Sequence, residues 1–112
     1  INSDNKKRKI EVVDTLDDGV FIEPRMRGRE HVVYINKSHP FYQKIYVPLF
    51  DQPLALEGLD FLLYAMMDAE FATRTDRTKE QFQQMRMRMS MTLRSLAEEL
   101  PDADEYPNEM DD

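Results

Sequence analysis

The chain has 112 residues, a length typical of one domain, and 41% of them are hydrophobic while 33% are charged. It contains no cysteine, which excludes disulfides and thiolate-bound metals and is typical of a reducing compartment such as the cytoplasm. Two histidines are too few for an ordinary zinc site, and no apolar run approaches the roughly 18 residues that span a bilayer. These observations predict a cytoplasmic protein with no membrane partner. Because the chain starts at Ile1 inside a polar segment, we also expect that it is a piece of a longer protein.

The formal net charge of −7 is concentrated at the end of the chain. Residues 101–112 hold six of the 22 acidic residues and no base, whereas the other hundred residues hold 16 acids and 15 bases. Terminal charge runs are usually solvated and disordered. We therefore predict a polar, disordered segment over residues 1–9, one domain over 10–100 and a disordered acidic tail over 101–112. An acidic tail that occupies a basic groove on a partner is an alternative.

The first part of the domain has the patterns of short β-strands. β-forming residues are concentrated in residues 10–16, 20–23 and 31–36, and the run from Val32 to Ile35 is the clearest of them. Asp17-Asp18-Gly19 has the composition of a hairpin turn. Three short strands joined by short turns predict a small antiparallel β-meander.

From Pro40 onward the apolar residues recur at spacings of three and four, which predicts helices. A short helix is predicted over residues 40–48. The helix over residues 54–71 is apolar on a broad arc, which predicts burial on more than one side. A third helix is predicted to start at Thr78, with an inner face formed by Phe82, Met85, Met89, Leu93, Leu96 and Leu100. The short connection between the long helices predicts an antiparallel hairpin, so the expected fold class is α+β.

The junction between the last strand and the short helix is the most distinctive segment, and it contains Asn36, His39, Pro40, Phe41 and Tyr42. In a structural interpretation, Asn36 or Ser38 caps free amides and Pro40 sets the first helical turn. The two aromatic residues then anchor the helix in the core. In a functional interpretation, His39 is presented at a helix N-terminus, where the helix dipole lowers its pKa. No nucleophile or carboxylate accompanies His39 in the sequence, so we favour the structural interpretation.

One face of the helix over residues 54–71 carries Glu57, Asp60, Tyr64 and Asp68. These carboxylates are compatible with acid–base chemistry or with a divalent metal. A two-metal site on helices requires an added Glu-x-x-His pattern, and neither histidine lies on this helix. We therefore predict a stripe that faces solvent or a partner.

A second pair of methionines lies apart from the predicted inner face of the third helix. Met87 and Met91 are accompanied by Arg86 and Arg88, and methionine side chains adapt easily to different partners. This pattern predicts an adaptable protein-contact surface, with gap filling in the core as the alternative. The basic residues Lys6 to Lys9, together with the arginines of the long helix, leave open a second function in nucleic-acid contact.

Three segments carry a resemblance to a known family: the strand Val32–Asn36, the junction His39–Tyr42, and the helix Leu54–Phe71 with its acidic end at Asp68-Ala69-Glu70. Together they resemble the C-terminal region of uncharacterised bacterial and phage proteins. Those proteins carry an N-terminal ATPase domain like that of DNA gyrase, histidine kinases and mismatch-repair ATPases. The resemblance implies that the nucleotide site lies in a preceding domain and that this chain is an accessory, oligomerising domain.

The catalytic motifs of that superfamily are absent from this chain. Glu57 is followed four positions later by Phe61 rather than by the asparagine of a Glu-x-x-x-Asn pattern. Asp17-Asp18-Gly19 lacks the second glycine of the adenine-binding segment, and three glycines in all supply no phosphate-binding loop. We therefore predict no enzymatic activity and no cofactor. The expected function is a non-catalytic interaction or oligomerisation module whose partner is a second copy or another protein.

Overall fold

The computed structural model describes residues 9–101. In this part of the chain a three-stranded sheet is followed by helices, which confirms the predicted α+β class. The strands are β1 (Lys9–Val13), β2 (Ile22–Arg27) and β3 (Glu30–Asn36), and the long helices are α1 (Pro53–Phe71) and α2 (Asp76–Ala97). The predicted N-terminal polar segment and acidic tail lie outside the described residues, apart from Lys9 in β1 and Pro101.

The order of strands in the sheet is β1-β3-β2, so the most apolar strand lies in the centre. β2 and β3 form an antiparallel hairpin in which Ile22 lies opposite Ile35. β1 pairs with β3 in parallel, with Ile10 opposite Val33. The predicted antiparallel meander is therefore wrong in the pairing of its first strand.

The connection between β1 and β2 accounts for this pairing. Asp17–Gly19 forms a 3-10 turn rather than a two-residue hairpin turn, and Asp18 within it adopts a positive φ of 60°. The flanking residues Leu16, Val20 and Phe21 are buried. Because these apolar side chains hold the connection in the core, the chain reaches the opposite edge of β3 before β2 begins.

A short helical segment follows the sheet. It consists of a π-helix over Tyr42–Tyr46 and a 3-10 helix over Val47–Leu49. The helix predicted to end at Pro48 thus extends to Leu49. Pro48 lies in the first turn of the 3-10 helix, where its missing N–H leaves no helical hydrogen bond unmade.

α1 and α2 run antiparallel to each other. Close to the end of α1, Glu70 contacts Arg86 of α2. Asp60, in the first half of α1, and the carbonyl of Leu100, just after α2, both accept hydrogen bonds from the π-helix. The start of α1 and the end of α2 therefore lie at the same end of the domain.

The core lies between one face of the sheet and α1. Its buried residues are Phe21, Ile22, Val33, Ile35, Tyr46, Leu63 and Met67. The ring of Phe21 lies 5.0 Å from that of Phe41 and 5.3 Å from that of His39, measured between centroids. These contacts join the 17–21 connection, the helical segment and the sheet, while Leu93 of α2 packs at the edge of the core.

Both long helices differ from the predicted burial. α1 buries one side only, through Leu63 and Met67, while Leu62 is 59% exposed and Leu54 is 84% exposed. On α2 the buried residues are Arg86, Ser90 and Ala97. Most of the apolar stripe that was predicted to face inward is only partly covered, and its members Met85, Leu96 and Leu100 are exposed. α2 thus turns a largely polar side toward the domain.

Candidate protein-contact surface

The junction residues form a buried hydrogen-bonding network at the end of β3. The Asn36 side chain donates from Nδ2 to the carbonyl of Val20 (2.9 Å) and accepts at Oδ1 from the amide of Ser38 (2.8 Å). Its backbone amide donates to the carbonyl of Phe21 (2.8 Å). Asn36 therefore joins the end of the central strand to the connection that precedes β2.

His39 is fully buried, and both of its ring nitrogens are hydrogen-bonded. Nδ1 lies 3.1 Å from the amide nitrogen of Phe41, and Nε2 lies 2.8 Å from the carbonyl oxygen of Ser90 in α2. Because an amide can only donate and a carbonyl can only accept, Nδ1 is unprotonated and Nε2 carries the proton. Burial lowers the pKa of His39, an effect opposed by the Ser90 carbonyl and reinforced by Arg94. His39 is thus a neutral residue that holds α2 to the domain, with no ring nitrogen available for catalysis.

The remaining junction residues pack against aromatic rings. Phe41 lies edge-on to Phe21, and Tyr42 stacks on Tyr46 with 5.2 Å between centroids. Pro40 is the first of the helical residues that lead into the π-helix. In this arrangement the five residues position the helical segment.

Ser90, which was not among the predicted site residues, accepts a hydrogen bond at its hydroxyl oxygen from the amide of Phe21 (2.9 Å). Ser90 thereby connects α2 to the core through its hydroxyl and, by way of His39, through its carbonyl. The available signal was a serine at the centre of a helix, where serine has no local advantage.

Arg86 was predicted to belong to a contact surface, and the structure contradicts that prediction. Its Nε and Nη2 atoms donate to the two carboxylate oxygens of Glu70, each at 2.9 Å. The two side chains are only 9% and 11% exposed. A bidentate pair satisfies the planar guanidinium, so a buried arginine is stable at this position. Arg94 also turns toward the domain, where it donates to the carbonyl of Gly19.

The predicted acidic stripe of α1 is divided between two environments. Asp60 accepts a hydrogen bond from the hydroxyl of Tyr46 (2.6 Å), and Tyr64 is partly buried. Burial and this hydrogen bond raise the pKa of Tyr46. Glu57 and Asp68 are exposed and make no ion pair with any other residue in 9–101. Only these two remain available to a partner.

Between and beside these acids, α1 presents a wide apolar arc to the outside. Its exposed members are Leu54, Ala55, Gly58, Phe61, Leu62, Ala65 and Ala69. At 3.6 residues per turn they cover about a third of the helix circumference, and Glu57 and Asp68 border the arc on one side. We call these residues the α1 outer face.

α2 also exposes apolar side chains. Exposed Met85 and Leu96, with half-buried Met89 and Leu93, form a stripe that is displaced sideways from the buried residues, and Arg88 borders it. We call this the α2 outer stripe, and a shallow groove runs along it. The predicted contact residues Met87 and Met91 are exposed on a different side of the helix, where a second groove also includes Arg88.

The two helices carry opposite charge. α1 has four acidic residues and no base, whereas α2 has five basic residues and two acidic ones. The ion pair between Glu70 and Arg86 links them within the chain. Arg77, Lys79 and Arg88 of α2 are exposed and have no acidic partner among residues 9–101. Charges of opposite sign that have no ion-pair partner among the described residues therefore border the two apolar surfaces.

Residues 9–101 contain no cluster of three or more acidic, histidine or cysteine side chains arranged to hold a metal ion. Neither long helix is apolar enough over a sufficient length to cross a membrane. Comparison with protein-family models, curated proteins and solved structures finds no match for this chain. The resemblance to the gyrase-type ATPase superfamily stays a prediction.

Proposed function

We propose that this chain is a non-catalytic interaction module that binds another protein chain through the α1 outer face and the α2 outer stripe. The observation that carries this proposal is the exposure of large apolar side chains on both long helices, with Leu54 at 84%, Leu62 at 59% and Leu96 at 55%. Single exposed apolar residues are common, whereas a contiguous apolar face with a charged border is typical of an interaction site.

The engagement of the buried polar groups supports a non-catalytic role. Both nitrogens of His39 are hydrogen-bonded within the fold, and the Ser90 hydroxyl accepts from a backbone amide. The Glu70 carboxylate is held by Arg86. Among the described residues, His39 and the Ser90 hydroxyl bond to backbone groups and the Glu70 carboxylate bonds to the Arg86 guanidinium, so each of the three has a role in folding.

Nucleic-acid contact, the alternative function, has weaker support. Arg86 and Arg94 bond to groups of the domain itself, which leaves Arg77, Lys79 and Arg88 as the exposed bases of α2. Lys6 to Arg8 lie outside the described residues. Salt-sensitive binding to DNA that weakens when Arg88 is changed would favour this alternative.

The setting of the module remains part of the proposal. An accessory domain of a larger ATPase-like protein of bacterial or phage origin is consistent with the residues that carry the family resemblance. The absence of cysteine supports a reducing compartment such as the cytoplasm. Neither inference is needed for the helical contact surface.

Site-specific photocrosslinking tests the proposed function. A photoreactive amino acid would replace Leu62 or Leu96, and as a control Arg29 in the exposed β2–β3 turn. In cells that express the full protein, we expect crosslinked products of higher mass from the two helix positions and none from the turn. Equal yields at all three positions, or no product at any of them, would contradict the proposal.

A further inference from the structure

We infer that the chain which covers these helices is a second copy of this one, joined as a four-helix bundle in which α1 of each copy packs against α2 of the other. This inference rests on the proposed function and names its partner. Two-fold dimers are the commonest protein oligomers, and pairs of antiparallel helices commonly associate into four-helix bundles.

Charge complementarity favours a second copy. A pairing of α1 with α1 would bring the acidic borders Glu57 and Asp68 of two copies together, with no base on either helix. A pairing of α1 with α2 instead brings a helix with four acids and no base beside one with five bases and two acids, and exposed Arg88 is then available to Asp68. Because like charges across an interface repel and opposite charges attract, the exchanged pairing is the favourable one.

The ion pair within each chain shows which residues of the two helices lie at the same position along the bundle axis. Glu70 and Arg86 contact each other, so they lie at the same level along the antiparallel helices. Two residues further along α2 and two residues back along α1, at about 1.5 Å per residue, Arg88 and Asp68 again share a level. Rotation about a two-fold axis parallel to the helices does not shift any residue along that axis. Asp68 of one copy therefore lies level with Arg88 of the other.

The available surface approaches the size of a stable dimer interface. The helices have 19 and 22 residues, which corresponds to lengths of about 28 and 33 Å. With a width of about 10 Å for each helix, the paired outer surfaces offer on the order of 600 Å² per copy. Stable interfaces bury about 800 Å² per partner, so full burial of both surfaces with their charged borders approaches that size.

The first experiment measures the association of the full chain by sedimentation velocity across a wide range of concentrations. We expect a reversible dimer, and we expect Leu62→Glu to weaken it about thirtyfold because a charge enters an apolar interface. Met26→Glu is the matched control, since Met26 is similarly exposed, at 56%, but lies on the sheet. It should leave the dissociation constant unchanged.

The second experiment tests the exchanged pairing by charge reversal. Asp68→Arg and Arg88→Asp should each weaken the dimer about fivefold, and the double variant should restore the dissociation constant to within about twofold of the wild type. Asp51→Arg and Arg29→Asp make the same changes in net charge at exposed loop positions and should have no effect. Circular dichroism would verify that each variant is folded.

The possible outcomes separate this inference from the proposed function. A chain that stays monomeric at all concentrations would overturn the inference, as would a dimer that Leu62→Glu does not weaken. If Asp68→Arg with Arg88→Asp does not restore association, the exchanged pairing is wrong. If the chain is monomeric but the photoreactive residue at position 62 still crosslinks to another protein, the proposed function stands and only the identity of the partner fails.

Discussion

Replacement of Ser90 by alanine tests whether the polar side of α2 attaches it to the domain. The Ser90 hydroxyl is the acceptor for the amide of Phe21, a residue with no exposed surface. Ser90→Ala removes that acceptor but keeps the backbone carbonyl to which His39 donates. The variant therefore isolates one hydrogen bond between α2 and the connection that precedes β2.

The expected magnitude follows from three contributions. A buried amide left without an acceptor costs about 1–3 kcal/mol. Alanine favours a helix over serine by about 0.5 kcal/mol, which offsets part of that loss. A cavity of about 60 Å³ lined by Ser90, Val20 and Met91 has room for a water molecule that could accept from the amide instead. We therefore expect a net loss of about 1–2 kcal/mol, equivalent to a fall of about 4–16 °C in Tm for a domain of this size.

The assay is urea denaturation followed by circular dichroism, with hydrogen exchange of the Phe21 amide as the local readout. Ser95→Ala is the matched control, because Ser95 lies on the same helix but is exposed. It should leave stability unchanged or raise it slightly. If Ser90→Ala and Ser95→Ala have the same stability and the Phe21 amide keeps its protection, the polar attachment of α2 would be refuted.

Three other predictions concern buried polar groups. Glu70→Ala leaves the Arg86 guanidinium buried without its carboxylate and should lower the free energy of unfolding by about 3 kcal/mol, whereas Glu70→Leu with Arg86→Met should recover most of that loss in urea denaturation. A double variant as unstable as the single one would contradict this account. Because burial lowers the pKa of His39 in the fold, the unfolded state alone takes up a proton as the pH falls below about 6.5. The free energy of unfolding should therefore decrease with falling pH in that range. His39→Gln keeps a hydrogen-bond donor and should make this pH dependence weaker in urea denaturation series at several pH values. An unchanged pH dependence would show that other groups cause it. Burial and the hydrogen bond to Asp60 raise the pKa of Tyr46, so Tyr46 should not ionise while the protein is folded. An alkaline absorbance titration should therefore give the same curve for wild type and Tyr46→Phe until the protein unfolds. A difference between the curves below the unfolding pH would show that Tyr46 is accessible.

Local sequence patterns were sufficient to predict the type of each main element. The run Val32–Ile35 predicted the central strand, and apolar spacing predicted both long helices. The parallel pairing of β1 could not be predicted in the same way. Alternation identifies the two faces of a strand but not its neighbour, and the neighbour here depends on how Leu16 and Phe21 bury the connection.

The orientation of α2 could not be predicted because its polar partners are distant in sequence. Hydrophobicity alone places the Met85 side of the helix inward. The structure instead buries Arg86 and Ser90, whose partners are 16 and 69 residues away. Charged residues are almost never fully buried unless paired, and a single sequence does not reveal that Glu70 lies opposite Arg86.

The polar inner side of α2 and its apolar outer stripe have a common physical basis. A helix that satisfies Arg86 and Ser90 within its own domain must direct Met85 and Leu96 elsewhere, because those residues lie on another part of the circumference. In an isolated chain this orientation leaves the apolar stripe in water, and the fold loses the roughly 25 cal/mol per Å² of stabilisation that burial of that surface would contribute. The same orientation becomes favourable when another helix covers the stripe, because the polar contacts inside and the apolar contacts outside are then made together. α1, buried on one side and apolar on the other, is arranged in the same way, so burial of both outer surfaces would favour the proposed dimer.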